Sequence, residues 1–584
     1  MLRLVARSVQ AFAHQERWHM SAYLEFLGRT ASPGSATSLR LSMFGRWAAF
    51  ALAGVSAGAV IAGSVAVIPA SCSSGPQNIT KCEDMTEQIQ EFKHWLSGLG
   101  AHTDAVNIRQ SPQGHGLALY PSALGVQHHN AAWLRPLQRL VGMGGETTLA
   151  SFPLQTVLSA KLVTQQPGLG LKYKKLLASG EVDERMVVML FLLVEKLRGE
   201  DSMWSPWLNL LPASFDTPLH FTESQLQELQ GTTLHAATRV LNGNLERMWT
   251  KLEPVCQDLL LDAGHRQRAP SFQDFLWAYS IFWSRAQSLP VPAGANGEVT
   301  TQESIVPGLD FANHANEHSC RWTLWGNRKA SGMHDSISLV TTDTPHLSTD
   351  NELQITYGDK SNEELLFLYG FALPDNKDDV LMVTCPLPPA EQWDDVIRAR
   401  MLFLLGKGLS PQLFLPASRL PDGTGHQGSR DHIDAWLPNS VQDVLKAMLM
   451  DPAELAGKMQ SSASTDMSGK RADELSSSTG QEIEDSGMKL AMLTCVTRLL
   501  EAKCEELEEE GATGRLERDQ QLLEAAHQSE GEGLPARLHN TILYRMGQKR
   551  LAREYLQLAR SATGDEMHRM RALVAKEEAA GPSG

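Results

Sequence analysis

A change of pattern constrains this chain more than any other feature. Residues 304–373 are dense in short β-like pieces and turns, while the stretches before and after repeat apolar residues at helical spacing. Ahead of the switch, 83–98 places Ile89, Phe92, Trp95 and Leu96 on one helical face, and Gly98 and Gly100 end it. Strand-like runs follow at 105–108, 116–120 and 147–152, with 121–145 expected as a loop insertion. The apolar run 182–196 falls short of the about 20 residues that cross a bilayer, so it reads as a buried core helix. A Trp-rich connector at 202–212 leads to helical segments at 223–249 and 272–287, and 290–303 reads as a Pro/Gly loop. After Pro374, helical periods return at 396–404, 440–449, 488–509 and 534–558. The Ser-rich, charge-mixed stretch 458–487 is expected to be a disordered loop, and the acidic run 505–510 a solvated helix face.

With 42% apolar and 20% charged residues, the chain has the material for a folded body. At roughly 100–200 residues per domain, its length suggests three units, or two plus tails. No internal repeat is evident. The net charge of −15, from 52 Lys and Arg against 67 Asp and Glu, disfavours nonspecific nucleic-acid binding, which needs clustered cations. The seven cysteines include no Cys-x-x-Cys pair and no four-ligand zinc spacing. They read as free thiols in a reducing compartment and exclude a disulfide scaffold.

The first 80 residues have a different composition. Arg3, Arg7, Arg17, Arg29, Arg40 and Arg46 stand against only Glu16 and Glu25 before residue 47. An Arg-bearing, Ser-containing, acid-poor start reads as an organelle transit peptide, with a disordered basic tail as the alternative. Residues 47–70 (WAAFALAGVSAGAVIAGSVAVIPA) form an uncharged Ala/Gly-rich stretch long enough to span a bilayer. An anchor, the apolar part of a bipartite signal and a cleaved extension all fit it. The folded protein is expected to begin near Lys81.

The chemistry concentrates in two strings, VPGLDFANHANEHSCRW (306–322) and ELQITYGDKSNEELLFLYGFALPDN (352–376). Here the sequence resembles the SET-domain methyltransferases, and most of all the branch typified by the plant Rubisco large-subunit lysine methyltransferase. Other segments agree in order: Gln113 to Ala118 with the family's opening Gly-x-Gly-Leu strand; Glu195, 202–207 and Leu211-Pro212 with the insert between the SET halves; Ser284-Arg285-Ala286 with a helix end; and 544–549 (YRMGQK) with the C-terminal domain. The resemblance covers roughly 85–560. It implies an α+β fold: a SET domain of short sheets with a pseudoknot over 81–375, split by a helical insert at about 180–287. An all-α substrate-binding domain follows over 376–560, and then a tail, 561–584.

The resemblance implies a protein-lysine N-methyltransferase using S-adenosylmethionine. Such a reaction needs a positioned donor, a narrow channel aligning the amine, and polar oxygens around the methyl. Tyr357 is the implied catalytic residue, its hydroxyl holding the amine. Gln113, Gly114, His115, Gly116, Arg285, Asn313 and His314, with Tyr357, are the implied donor contacts. Arg285, Asp310, Tyr357, Tyr369 and Phe371 are the implied substrate contacts. Gln113 stands where the family is commonly acidic, and His115 where a small or basic residue is common. Read alone, His314 and His318 have the i, i+4 spacing of metal ligands. Pro307, Gly308 and the lack of an HExxH motif argue against a metal site, and none is expected. No Gly-x-Gly-x-x-Gly enters a helix after Gly114, which disfavours a Rossmann-type enzyme. No Cys-x-Cys-rich zinc segment follows Tyr357, which points to a non-histone substrate. Rubisco large subunit and aldolase are the substrates implied if the compartment is a plastid, and the chloroplast stroma is the expected location, with membrane attachment through 47–70 left open. Two other functions remain: a protein-histidine methyltransferase, since an animal relative of the family methylates actin, and a catalytically silent binding module.

Overall fold

The computed structural model describes residues 77–112, 116–130, 147–292, 299–325, 336–341, 347–421, 433–463, 478–510, 513–528 and 533–580. Most of the expected targeting extension, residues 1–76 with 47–70 included, lies outside them, and its last four residues, 77–80, start a helix. The chain divides into two compact units, and the described residues of the first are drawn from 77–215 and 243–359.

In the first unit α1 (Gln77–Gly98) precedes the antiparallel pair β1 (Val106–Gln110) and β2 (Leu117–Pro121). A three-stranded antiparallel sheet follows, β3 (Thr148–Pro153), β7 (Ser336–Thr341) and β6 (Cys320–Trp325), with β7 central. Part of the expected loop insertion is instead a short helix, Ala123–Asn130. The helical insert contains α2 (Glu184–Arg198), where the Asp183 side chain accepts from the Met186 amide and every residue from Val187 to Glu195 is buried. Burial all round confirms a core helix. The helix α3 (Thr233–Asp262) contributes to both units. The single helical segment expected over 223–249 is in fact two, Glu223–Gln227 and α3, separated at Gly231, whose φ of +82° breaks the helix. Ser271 and Asp274 form a capping box that starts α4 (Phe272–Arg285), which packs on α2. The expected loop at 290–303 includes strand residues: β4 (Gln287–Pro292) pairs antiparallel with β5 (Val299–Ser304). An edge strand tolerates Pro290 and Pro292, and Leu289 is buried.

Aromatic packing anchors the site-bearing turn. The Phe92 ring meets Phe311 edge-on at 5.6 Å, and Trp204 contacts Trp95, Phe191 and Trp207 at 5.6–6.1 Å. The Trp-rich connector is thus a packed element whose short helix, Ser205–Leu208, buries Trp207 completely.

The second unit takes its described residues from 216–242 and 360–580. Helices α5 (Asp395–Gly406), α6 (Asn439–Leu449), α7 (Ser478–Glu505), α8 (Leu516–Gln528) and α9 (Ala536–Ala580) dominate it. It is helical as expected, with one addition: β8 (Val380–Thr384) and β9 (Gln412–Pro416) pair antiparallel, and Leu381, Leu413 and Leu415 join the core with Val444, Leu493 and Leu500. Helices reach into both ends of the expected disordered loop, since Pro452–Ala463 is helical and α7 starts at Ser478; residues 464–477 lie outside the described set. Most of the expected tail continues α9 as helix. Among the described residues, no helix is long and apolar enough to cross a membrane.

Candidate active site

Residues 352–357 form an extended run in which Leu353 and Ile355 alternate inward, fully buried. Backbone hydrogen bonds pin this run between other segments. The Leu353 amide donates to the Leu119 carbonyl at 2.8 Å, and the Ile355 amide to the Asn313 carbonyl at 2.9 Å. In return the amides of Ala315 and Cys320 donate to the carbonyls of Ile355 (3.0 Å) and Gln354 (2.9 Å). His314 and Ile355 form a parallel bridge, so the two motif strings lie side by side.

At the end of this run the Tyr357 hydroxyl donates to the Ala312 carbonyl at 2.9 Å. Its backbone amide donates to His314 Nδ1 at 3.0 Å, which fixes that nitrogen as the unprotonated one, and the two rings lie 5.2 Å apart. Burial pushes the phenol up to about 12, opposed by the Arg285 guanidinium, so Tyr357 is a neutral hydroxyl at physiological pH.

Asp310 fixes the turn beside it. Its buried carboxylate accepts from the Gly308 amide at 2.8 Å, the Trp207 indole at 3.2 Å and Arg285 Nη1 at 2.9 Å. Arg285, the last residue of α4, also donates to the Asp310 carbonyl at 2.9 Å. Burial pushes the Asp310 carboxyl up, and the Arg285 charge is the largest opposing influence. Gly308 is required here: its φ is +98°, and a Cβ would stand 2.7 Å from the Phe152 ring.

Asn313 Nδ2 donates to Glu352 Oε1 at 2.7 Å, which leaves the amide oxygen turned away from that carboxylate. Arg285 Nε is buried without a hydrogen-bond partner among the described residues. Gly116, at φ +77°, accepts from the Ser111 amide at 2.7 Å. An amide oxygen turned from Glu352, a guanidinium N–H without a partner among the described residues and a Gly at positive φ suit a ligand carrying both an ammonium and a carboxylate, such as an amino-acid head group.

The structure therefore brings Arg285, Asp310, Asn313, His314 and Tyr357 together. Gln113, Gly114 and His115 lie outside the described residues. Tyr369 and Phe371 belong to the second unit, with ring centroids 6.2 Å apart beside a π-helical turn, Leu365–Tyr369. Sequence reasoning missed Trp207, the Ala312 carbonyl and Glu352. Of these, only Trp207 carried a signal, as part of the matched segment 202–207. Among the described residues, no group of three or more His, Cys, Asp or Glu is arranged to hold a metal ion.

No family model matches the chain. It is 29% identical over 202 residues to a ribosomal lysine N-methyltransferase of Schizosaccharomyces pombe (34% of this chain, 33% of that protein). To the tobacco Rubisco large-subunit N-methyltransferase it is 29% identical over 212 residues (35% and 40%). To the Drosophila melanogaster actin-histidine N-methyltransferase it is 24% identical over 365 residues (58% of each). These matches span between one third and three fifths of the relatives' own length. Among solved structures, Rubisco LSMT bound to sinefungin and monomethyllysine superposes with a TM-score of 0.54 at 18% identity, covering 85% of this chain and 97% of that one. The same protein bound to AdoMet gives the same values. The chain thus has the fold of the SET-domain Rubisco methyltransferase, and its relatives are protein N-methyltransferases.

Proposed function

We propose that this chain methylates lysine side chains of a non-histone protein, with S-adenosylmethionine as donor. The observation that carries the reading is the Tyr357 hydroxyl, held 2.9 Å from the Ala312 carbonyl where the two motif strings meet, in a chain with the Rubisco LSMT fold. When bound, S-adenosylmethionine supplies an electrophilic methyl group on a sulfonium. Asn313, His314, Arg285 and Gln113 to Gly116 are the residues that would hold it. Because the Tyr357 hydroxyl donates its hydrogen bond to the Ala312 carbonyl, its oxygen is oriented to accept an N–H from the incoming amine. A phenol that stays protonated leaves no phenolate to draw the proton or the methyl away from that amine. The Ala312 carbonyl offers a second oxygen beside it, and aligning the amine with these two acceptors is the chain's main contribution to rate. The helical C-terminal unit is the part that docks the protein substrate.

A histidine target is the second reading. It is favoured by the actin-histidine N-methyltransferase match, which spans 58% of this chain, against 34% and 35% for the fission-yeast and tobacco enzymes. We further propose a chloroplast stromal location, residues 1–80 acting as the address, with Rubisco large subunit or aldolase among the substrates. What supports this is the acid-poor, Arg-bearing start together with plant relatives that methylate those proteins. Incubating the chain with labelled donor and a stromal extract should label a protein, and mass spectrometry of it separates lysine from histidine. An extract that stays unlabelled, with the enzyme folded, would contradict the reading. Recovery of a full-length, carbonate-resistant protein from membranes would replace the stromal location with an anchored one.

A further inference from the structure

Glu352 lies five residues before Tyr357, and each of its carboxylate oxygens meets a different part of the first unit. Oε1 accepts from Asn313 Nδ2 at 2.7 Å, a short contact of the charge-assisted kind. Oε2 accepts from the Ser111 hydroxyl at 3.3 Å and the Tyr120 hydroxyl at 3.4 Å. Ser111 directly follows β1, and Tyr120 is on β2 with the Arg109 guanidinium 3.7 Å from its ring centre. One side chain therefore joins the opening hairpin, the Asn313 segment and the run that ends in Tyr357. The backbone at Glu352 is fixed as well, since its carbonyl accepts from the Ser319 hydroxyl at 3.4 Å.

We infer that Glu352 is a positioning residue that sets the orientation of the Asn313 amide for the donor. A carboxylate can only accept, so Asn313 must present its NH2 to Glu352 and its oxygen elsewhere. Held this way, the Asn313 oxygen accepts from a ligand N–H, the requirement of an ammonium group. Without Glu352 the amide is free to turn, and in half of its orientations it offers a donor to a cation. The inference rests on the methyltransferase reading, because it concerns that site's donor.

The test measures S-adenosylhomocysteine and S-adenosylmethionine affinity by calorimetry, and turnover at saturating donor, on the full chain. Glu352→Ala should weaken donor binding at least tenfold and change kcat less than threefold. Glu352→Gln, which keeps an acceptor for Asn313, should recover most of the affinity. A swap guards against a folding failure: Asn313→Asp sets two carboxylates face to face and should lose at least tenfold, and adding Glu352→Gln, which now donates across the pair, should restore binding. Equal affinities for wild type and Glu352→Ala, a Gln variant as weak as Ala, or a double variant no better than Asn313→Asp would each overturn the inference. A wild-type chain that binds neither compound refutes the methyltransferase reading itself, which these variant comparisons would not reveal.

Discussion

Around Tyr357, buried polar groups meet backbone atoms and neutral partners: a hydroxyl on a carbonyl, an imidazole on an amide, and one Arg285–Asp310 ion pair braced by Gly308 and Trp207. The second unit packs charge against charge. Asp519 accepts from Arg545 at 2.7 Å and from Lys549 at 2.7 Å, with all three side chains at most 2% exposed, and Lys549 also donates to the Gly514 carbonyl at 2.6 Å. Nearby Glu363 accepts from the Tyr544 hydroxyl at 2.6 Å. Strongly perturbed groups are common markers of chemistry, yet here burial lifts Glu363 to about 8 and Asp379 to about 7 inside a structural network. The comparison teaches that burial of charge locates the joints of the helical unit, while the reacting site is marked by hydrogen-bond geometry.

If that division is right, variants should separate stability from turnover. Asp519→Ala leaves two buried cations facing each other, with Glu228 still bonded to Arg545, and should cost about 3–5 kcal/mol in urea unfolding. Turnover per folded molecule should hold. A loss below about 1 kcal/mol would show that the cluster does not secure the unit.

Gly308→Ala should have a smaller effect on stability but touch both properties. It strains a φ of +98° and drives a methyl into Phe152, together about 2–4 kcal/mol, and it shifts the turn that holds Asp310. Normal turnover with normal stability would sever the link drawn between this turn and the site.

The mildest expected effect is one of pH. Glu363 has its carboxyl raised by burial to about 8 from an ordinary 4.5. Between those values the folded chain holds a proton that the unfolded chain lacks, so stability falls as pH rises toward 8 and levels off above it. Asp379, raised to about 7, acts with the same sign. Glu363→Gln should keep the Tyr544 contact and flatten this decline, measured as melting temperature against pH. An unchanged slope would remove Glu363 from the account.

Much of the site was legible because its residues cluster in two strings. Asn313, His314 and Tyr357 could be named from local motif, and Arg285 from a helix end. Glu352 could not, because Ser111, Tyr120 and Asn313 reach it only through pairing of distant strands. The helices α2, α4 and α6 followed from their apolar residues. The pair β4–β5 did not, since Pro290, Pro292 and the intervening glycines carry a turn signal that cross-strand pairing overrides. Ser-rich composition likewise suggested disorder at 478–487, where Ser486 is buried and donates to Glu566 of α9 at 2.6 Å. A tertiary contact of that kind leaves no local trace.

The proposed chemistry rests on the Tyr357 hydroxyl. Tyr357→Phe keeps the ring and removes only that group, so single-turnover methyl transfer at saturating S-adenosylmethionine tests it most directly. Transfer should slow by about a hundredfold, corresponding to about 3 kcal/mol, with donor affinity and melting temperature nearly unchanged. Transfer at the wild-type rate, or a rate that falls only in step with melting temperature, would contradict the claim.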